Sequence, residues 1–493
     1  MTNHDVYLLS PEISVVALAL IIIGVDLSTQ RKGVLSLTSL LGLAVPIGLT
    51  LVLWNDVDSN GNLIGVFNSI TITKFSLFFK LLILTTTFLV IMASGNLPNS
   101  MRKLKAEFLG LILLSASGMM LLAGVNEFIS IYVSIELSTL PLIALSAFLM
   151  TSRSSEAGLK FLVLSGISSS LLLYGMLIIY GVTGSTYLNE ISVVIKEATT
   201  LGTPFGNTSM LLGVVLIVAG IGFKVSAVPF HMWVPDVYEG APTHLIAFLS
   251  VASKAIGFAI LLKLLYIAFP SFESDWSMLF AIIAVTSMSI GNVVAMTQTN
   301  IKRMLGYSSI AHAGYIMVGI ASVASRIHDG GETSGPSSVL FYLVAYSASN
   351  LAAFFAIATI SNSTKSNEID DLAGMWHRSP LPSLVLLISL VSLIGLPPTG
   401  LFIGKIFLFT AAIQSNLTWL AIAGVINSVI SAYYYLKPVR VMFMSESDNL
   451  EPVRLTIIPT AAILIAGIIV IALGIAPQIL TSFSDISGTS LLP

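Results

Sequence analysis

Fourteen stretches of this chain are apolar for long enough to cross a lipid bilayer, and no other feature restricts its fold as severely. They occupy residues 13–27, 34–54, 75–93, 108–124, 128–150, 157–180, 210–229, 245–268, 278–297, 304–324, 339–360, 381–412, 419–436 and 455–475. About 20 apolar residues in helical form match the hydrocarbon thickness of a bilayer. In that layer each segment must satisfy its own backbone polar groups, so runs of this kind predict helices. Only 9% of the 493 residues are charged and 55% are hydrophobic, whereas about a quarter of a soluble domain is charged. The expected fold class is therefore an all-α polytopic membrane protein with about fourteen transmembrane helices and no persistent strand alternation.

The placement of positive charge supports that count, because cytoplasmic connections hold the excess of Lys and Arg. Thirteen of the 22 lie in odd-numbered connections: Arg31, Lys32, Arg102, Lys103, Lys105, Arg153, Lys302, Arg303, Lys365, Arg378, Lys437, Arg440 and Arg454. The opposite side has only Lys196 and Arg326. An even number of helices with both termini outside follows. No basic region or small-residue cleavage site accompanies the first apolar run, so helix one is expected to be retained. A net charge of −2 without a basic tail excludes nucleic acid as a partner. The absence of Cys excludes thiolate-held iron–sulfur clusters, disulfides and thiol nucleophiles, so any electron transfer belongs to another chain. Phosphate loops, HExxH and a nucleophile elbow are also missing.

Two spans are interrupted by proline, which removes a backbone donor and crowds the preceding turn. Pro229 and Pro235 interrupt helix seven, and Pro397-Pro398 in LIGLPPTGLFIGK interrupts helix twelve. Broken helices at matching positions of two halves point to inverted repeats around a midplane site. The breaks are five helices apart. This spacing predicts a division into 1–106 (helices one to three), 107–270 (a first five-helix repeat), 271–440 (a second, inverted repeat) and 441–493 (helix fourteen). Outside the membrane, 186–209 is expected to form a short surface helix, and 362–379 a polar docking loop.

Ionisable residues within spans are expensive and default to functional hypotheses. Glu136 lies in FISIYVSIELSTLPLIALSAF with apolar residues on both sides, and Lys224 is its natural partner. The rival reading is a helix-packing ion pair. Lys224, Lys254 and Lys405 are amines rather than guanidiniums, and a desolvated ammonium can release its proton near neutrality, as Arg cannot. Against that stands a structural role, with each amine satisfying carbonyls freed by a helix break. Lys160 follows Arg153 and Glu156 near the start of its span, where it could equally snorkel to the interface. His312 in YSSIAHAGYIMVGI is placed to relay protons or to act as a bonded core histidine. Lys80 is expected to face lipid, a neighbouring subunit or the interface, and Lys263 to snorkel. His231, Asp236, Glu239 and His244 sit in the turn after helix seven, where a proton funnel or simple loop ordering would place them.

These segments together resemble a known family. KVSAVPFHMWVPDVYEGAPTHLIAFLSVASKAIGF, NEFISIYVSIELSTLPLIALSAF, EAGLKFLVLSGISSSLLLYG, NIKRMLGYSSIAHAGY and LIGLPPTGLFIGKIFLF look like the antiporter-like membrane subunits of respiratory complex I. The resemblance implies a proton-translocating subunit of fourteen helices with two inverted repeats. It also implies a midplane polar axis that falls on Glu136, Lys160, Lys224, Lys254 and Lys405. A lysine at 405 and the VYEGAPT run narrow the resemblance to one branch, while His244 replaces the family's usual proline. NADH, FMN, iron–sulfur clusters and quinone are implied for partner subunits and none for this chain. The implied partners are the other membrane subunits of complex I, the bilayer, protons and internal water. The implied location is the plasma (inner) membrane of a prokaryote. A cation/proton antiporter subunit without redox coupling is the alternative, and a purely structural link between pumping neighbours is a third.

Overall fold

The computed structural model describes residues 2–28, 32–97, 101–201, 204–322, 334–446, 451–453 and 455–491. Arg31, Arg326 and Arg454 of the charge count lie outside the described residues. Among those described, thirteen helices are long and apolar enough to span a membrane, and a further span consists of two shorter helices, Pro380–Ile394 and Gly400–Gln414. That divided span is helix twelve of the expected fourteen. The all-α fold has one small exception, an antiparallel hairpin pairing Leu63–Gly65 with Ile70–Ile72. Its turn uses left-handed backbone at Val66, Phe67 and Asn68, and the Asp5 carboxylate accepts the Val66 N–H at 2.7 Å.

Burial divides the spans by position. Helix eight (Thr243–Ala268) is buried along its length, and helix ten (Ile301–Ala321) and helix eleven (Gly335–Thr364) nearly so. Helix one (Ser10–Ser28), helix two (Lys32–Asn60), helix thirteen (Thr418–Met444) and helix fourteen (Ile457–Ile475) are buried along less than half of their length. Helix three (Lys74–Ala93) and helix four (Lys105–Gly124) cover one side of the core. Helix five (Phe128–Ser146) and helix six (Ser152–Thr183) lie beside helix seven, whose membrane part ends at Val225. Helix nine (Trp276–Ala295) packs along helix ten, and both halves of helix twelve pack on helix eleven. Helix thirteen continues to Met444, past the expected boundary at 440. The expected surface helix is Leu188–Leu201, and another short helix, Gln478–Thr489, follows helix fourteen.

The break in helix seven occupies residues 226–232. Pro235 does not interrupt anything: it lies in the first turn of the short helix Trp233–Gly240, where a missing N–H has no intrahelical partner to lose. The freed carbonyls are occupied. Gly222 accepts from Ala227 N–H at 2.8 Å, and Phe223 accepts from Ser226 N–H and from the Trp233 indole at 3.0 Å. Trp233 stacks on Phe161 with ring centroids 4.7 Å apart, which fixes the turn to helix six.

Candidate functional site

Helix five presents Glu136 and Thr139 one turn apart. The Ser169 hydroxyl of helix six donates to Glu136 Oε1. Lys224, in the last turn of its half-helix, donates to Thr139 Oγ1, while the Thr139 hydroxyl donates to the Ile135 carbonyl at 2.6 Å. The expected direct ion pair between Glu136 and Lys224 is not formed. Their side chains are neighbours held by separate hydroxyls, with Glu136 a source of electrostatic attraction for Lys224.

Lys254 follows a π-helical turn, Leu249–Ser253, a feature that often marks functional positions. Its amine donates to both the carbonyl and the hydroxyl of Ser309 on helix ten. Ser309 Oγ also meets Tyr238 OH at 3.0 Å and Tyr346 OH at 3.2 Å, and Tyr346 OH accepts from Asn350 at 3.1 Å. Among the described residues, no side-chain hydrogen bond links this cluster to Lys224. The two helices nevertheless approach closely, since a Cβ at Gly257, one turn beyond Lys254, would lie 3.3 Å from Lys224 Cβ.

His312 lies one turn along helix ten from Ser309, with Nδ1 at 2.7 Å from Tyr342 OH and Nε2 at 3.0 Å from Tyr435 OH. A neutral imidazole has one donor and one acceptor nitrogen, and both phenols can supply either counterpart. The Tyr346 ring packs 5.1 Å from the His312 ring, joining the Lys254 and His312 clusters. On the other side, Tyr315 packs 5.6 Å from His312 and lies beneath Lys405, whose Nζ is 4.5 Å from the ring centroid. Lys405 donates to the Ile394 carbonyl at 2.7 Å and to Ser428 Oγ at 2.8 Å.

Lys160 stands apart from this buried row. It is 43% exposed and pairs with Glu156 and Asp236, each at 2.8 Å. Arg303 bridges Asp236 and Glu239 at 2.9 Å, and Arg153 lies 3.6 Å from Glu239. These six charged residues line a cavity of about 190 Å³. Burial opposes ionisation of Asp236, but hydrogen bonds from Lys160 and Arg303 prevail and hold its carboxyl below the ordinary range. His231 is half-buried in the break, and His244 is buried in the first turn of helix eight.

Two lysines occupy unexpected places. Lys80 is buried and lies 2.7 Å from Glu12 of helix one, so it faces neither lipid nor interface. Lys263 does not snorkel: it is buried and donates to the Ala123 and Val125 carbonyls at the end of helix four, at 3.2 and 2.7 Å. The hydroxyls that join the row, Thr139, Ser309, Tyr342, Tyr346, Tyr435 and Ser428, and the Tyr315 ring, carried no expectation. Their signal is a polar stripe at helical spacing, as with Tyr342, Tyr346, Ser349 and Asn350 on helix eleven.

The family described as NADH:quinone oxidoreductase/Mrp antiporter, transmembrane, matches residues 125–431. NADH-quinone oxidoreductase subunit N of Dehalococcoides mccartyi is 40% identical over 483 residues, covering 97% of this chain and 98% of its own. The chain belongs to the NADH-quinone oxidoreductase subunit N family. A chain of respiratory complex I from Thermus thermophilus is 28% identical and superposes with a TM-score of 0.79 over 97% of this chain and 99% of that one. A chain of the Mrp complex from Dietzia sp. is similar in fold, with a TM-score of 0.84 over 100% of this chain and 98% of that one, at 19% identity. The buried lysines and His312 thus stand within a fold common to subunit N and an Mrp chain.

Proposed function

We propose that this chain is a proton-translocating membrane subunit of a donor:quinone oxidoreductase, in which quinone reduction elsewhere drives proton transfer along Glu136, Lys224, Lys254, His312 and Lys405. Membership of the subunit N family supports the assembly, and the doubly bonded His312 between two amines is the observation that carries the path. The Lys224 amine alternates between the Thr139 hydroxyl and the Glu136 carboxylate, one helical turn away. Leaving the carboxylate removes the charge that favours the ammonium, and its proton moves towards Lys254. Ser309, Tyr346 and the imidazole then pass a proton to the Tyr315–Lys405 end, with water bridging the Lys224–Lys254 gap. The Asp236, Glu239 and Lys160 cavity supplies protons from the face rich in Lys and Arg. Residues 107–270 and 271–440 act as the two repeats around this row, both termini lie outside, and the membrane is the prokaryotic plasma membrane. NADH, FMN, iron–sulfur clusters and quinone reside in partner subunits.

Replacing Lys224 by Ala in an assembled complex should abolish most proton translocation coupled to this chain; undiminished pumping overturns the scheme. The fold shared with the Mrp complex favours a second reading, a cation/proton antiporter subunit. Sodium-dependent proton movement in vesicles containing the chain but no electron donor would select it.

A further inference from the structure

Glu12, Lys80 and Lys263 form a buried charge cluster that the row does not use. Glu12 lies in the first turn of helix one, Lys80 about two turns into helix three, and Lys263 near the end of helix eight. All three positions fall towards the face poor in Lys and Arg, as does the end of helix four that Lys263 contacts. Lys254 is nine residues earlier on helix eight, about 14 Å deeper at 1.5 Å per residue. The cluster is therefore offset from the row in depth.

Its composition is unbalanced. Lys80 and Glu12 are 1% and 8% exposed and lie 2.7 Å apart, a contact by distance without hydrogen-bond geometry. Lys263 is 4% exposed, is held among the described residues by two carbonyl oxygens, and lies within electrostatic reach of Lys80. Among the described residues Glu12 is the one carboxylate paired with either amine, and it pairs with Lys80, so full ionisation leaves one cation uncompensated inside the membrane, at high cost. A neutral amine still donates to both carbonyls of helix four, so the cluster holds together in either protonation state.

We propose that Glu12, Lys80 and Lys263 form a second proton-exchange site, through which this chain passes protons towards the face poor in Lys and Arg. Lys80 gives a proton to the Glu12 carboxylate, and the Lys263 ammonium restores Lys80, so one proton moves from Lys263 to Glu12. The Glu12 carboxyl releases it to water at that face, and the neutral Lys263 is reloaded from the interior. The inference rests on the proton-translocating reading above.

The test compares Glu12→Gln, Lys263→Met and Lys224→Ala in assembled complexes in proteoliposomes, measuring protons translocated per electron delivered to quinone. A lower ratio in Glu12→Gln and Lys263→Met, with electron transfer retained and Glu12→Asp close to wild type, is the expected result. A wild-type ratio in both, with a loss in Lys224→Ala, overturns this site alone; no loss in any of the three overturns the row as well. Should the single variants fail to assemble, Glu12→Met/Lys80→Met removes both charges together. Assembly with a lowered ratio supports the site. Assembly with a normal ratio, or failure of every variant to assemble, assigns the cluster to helix packing and overturns it.

Discussion

Lys405 closes the gap in its own helix, donating across the break to the Ile394 carbonyl at 2.7 Å. Lys224 does nothing comparable for helix seven, where backbone N–H groups and the Trp233 indole take the freed carbonyls. The two broken helices thus solve one problem differently, and only Lys405 combines a place in the row with a structural task.

This difference predicts unequal stability losses. Lys405→Met leaves the Leu393 carbonyl without its amine donor and weakens the bonding of Ile394, at a cost of about 1–3 kcal/mol. Lys224→Met removes a bond to a hydroxyl that keeps its own acceptor and at the same time removes the burial cost of an ammonium, so the lost bond is largely offset and the net cost should be less than about 1 kcal/mol. Thermal melts of the purified complexes compare them, and equal losses contradict the distinction.

Thr139 should matter to pumping as much as the charged residues. Thr139→Val keeps the shape but removes the acceptor for Lys224, a bond to a charged group worth about 1.5–3 kcal/mol. The balance between Thr139 and Glu136 should then shift about tenfold or more towards the carboxylate. Coupled proton translocation should fall in Thr139→Val and remain near wild type in Thr139→Ser. Equal pumping by the two variants would argue against a Lys224 that changes partners.

Gly257 sets how closely helix eight approaches helix seven. A Cβ there would lie 2.8 Å from Val225 Cγ1, and Val225 is a stiff, β-branched neighbour. Gly257→Ala gains about 1 kcal/mol in helix propensity, but overpacking costs about 1–3 kcal/mol and pushes Lys224 away from helix eight. Lower pumping with no gain in melting temperature is expected. A stabilised variant with normal pumping would show that the close approach is unimportant.

Asp236 gives the Lys160–Arg303 cluster a defined pH dependence. Its folded-state pKa lies below the unfolded value of about 3.9, so its stabilising effect is fully present above that pH. The effect is lost as pH falls through the lower folded value. Asp236→Asn should therefore be less stable than wild type from pH 7 to about 5, and the gap should close as pH drops below about 4. Melting curves across that range check it, and a gap that widens in acid has the wrong sign.

The order and number of the membrane helices, the two breaks and the family were legible in the sequence, because apolar length, proline chemistry and motif runs are local properties. Glu136, Lys224, Lys254, His312 and Lys405 were also legible, since a charge or imidazole within a lipid-length run stands out at once. Lys80 and Lys263 were not: whether a lysine near a helix end reaches water or a buried acceptor depends on a helix remote in sequence, here the Glu12 carboxylate of helix one for Lys80 and backbone carbonyls at the end of helix four for Lys263. The tertiary structure alone set Lys160 among surface charges, put Lys224 on Thr139 rather than on Glu136, and gathered Tyr315, Tyr342, Tyr346 and Tyr435 around His312. A hydroxyl costs little inside an apolar helix and leaves little trace in the pattern. It joins a hydrogen-bonded row only when packing brings its partner within bonding distance.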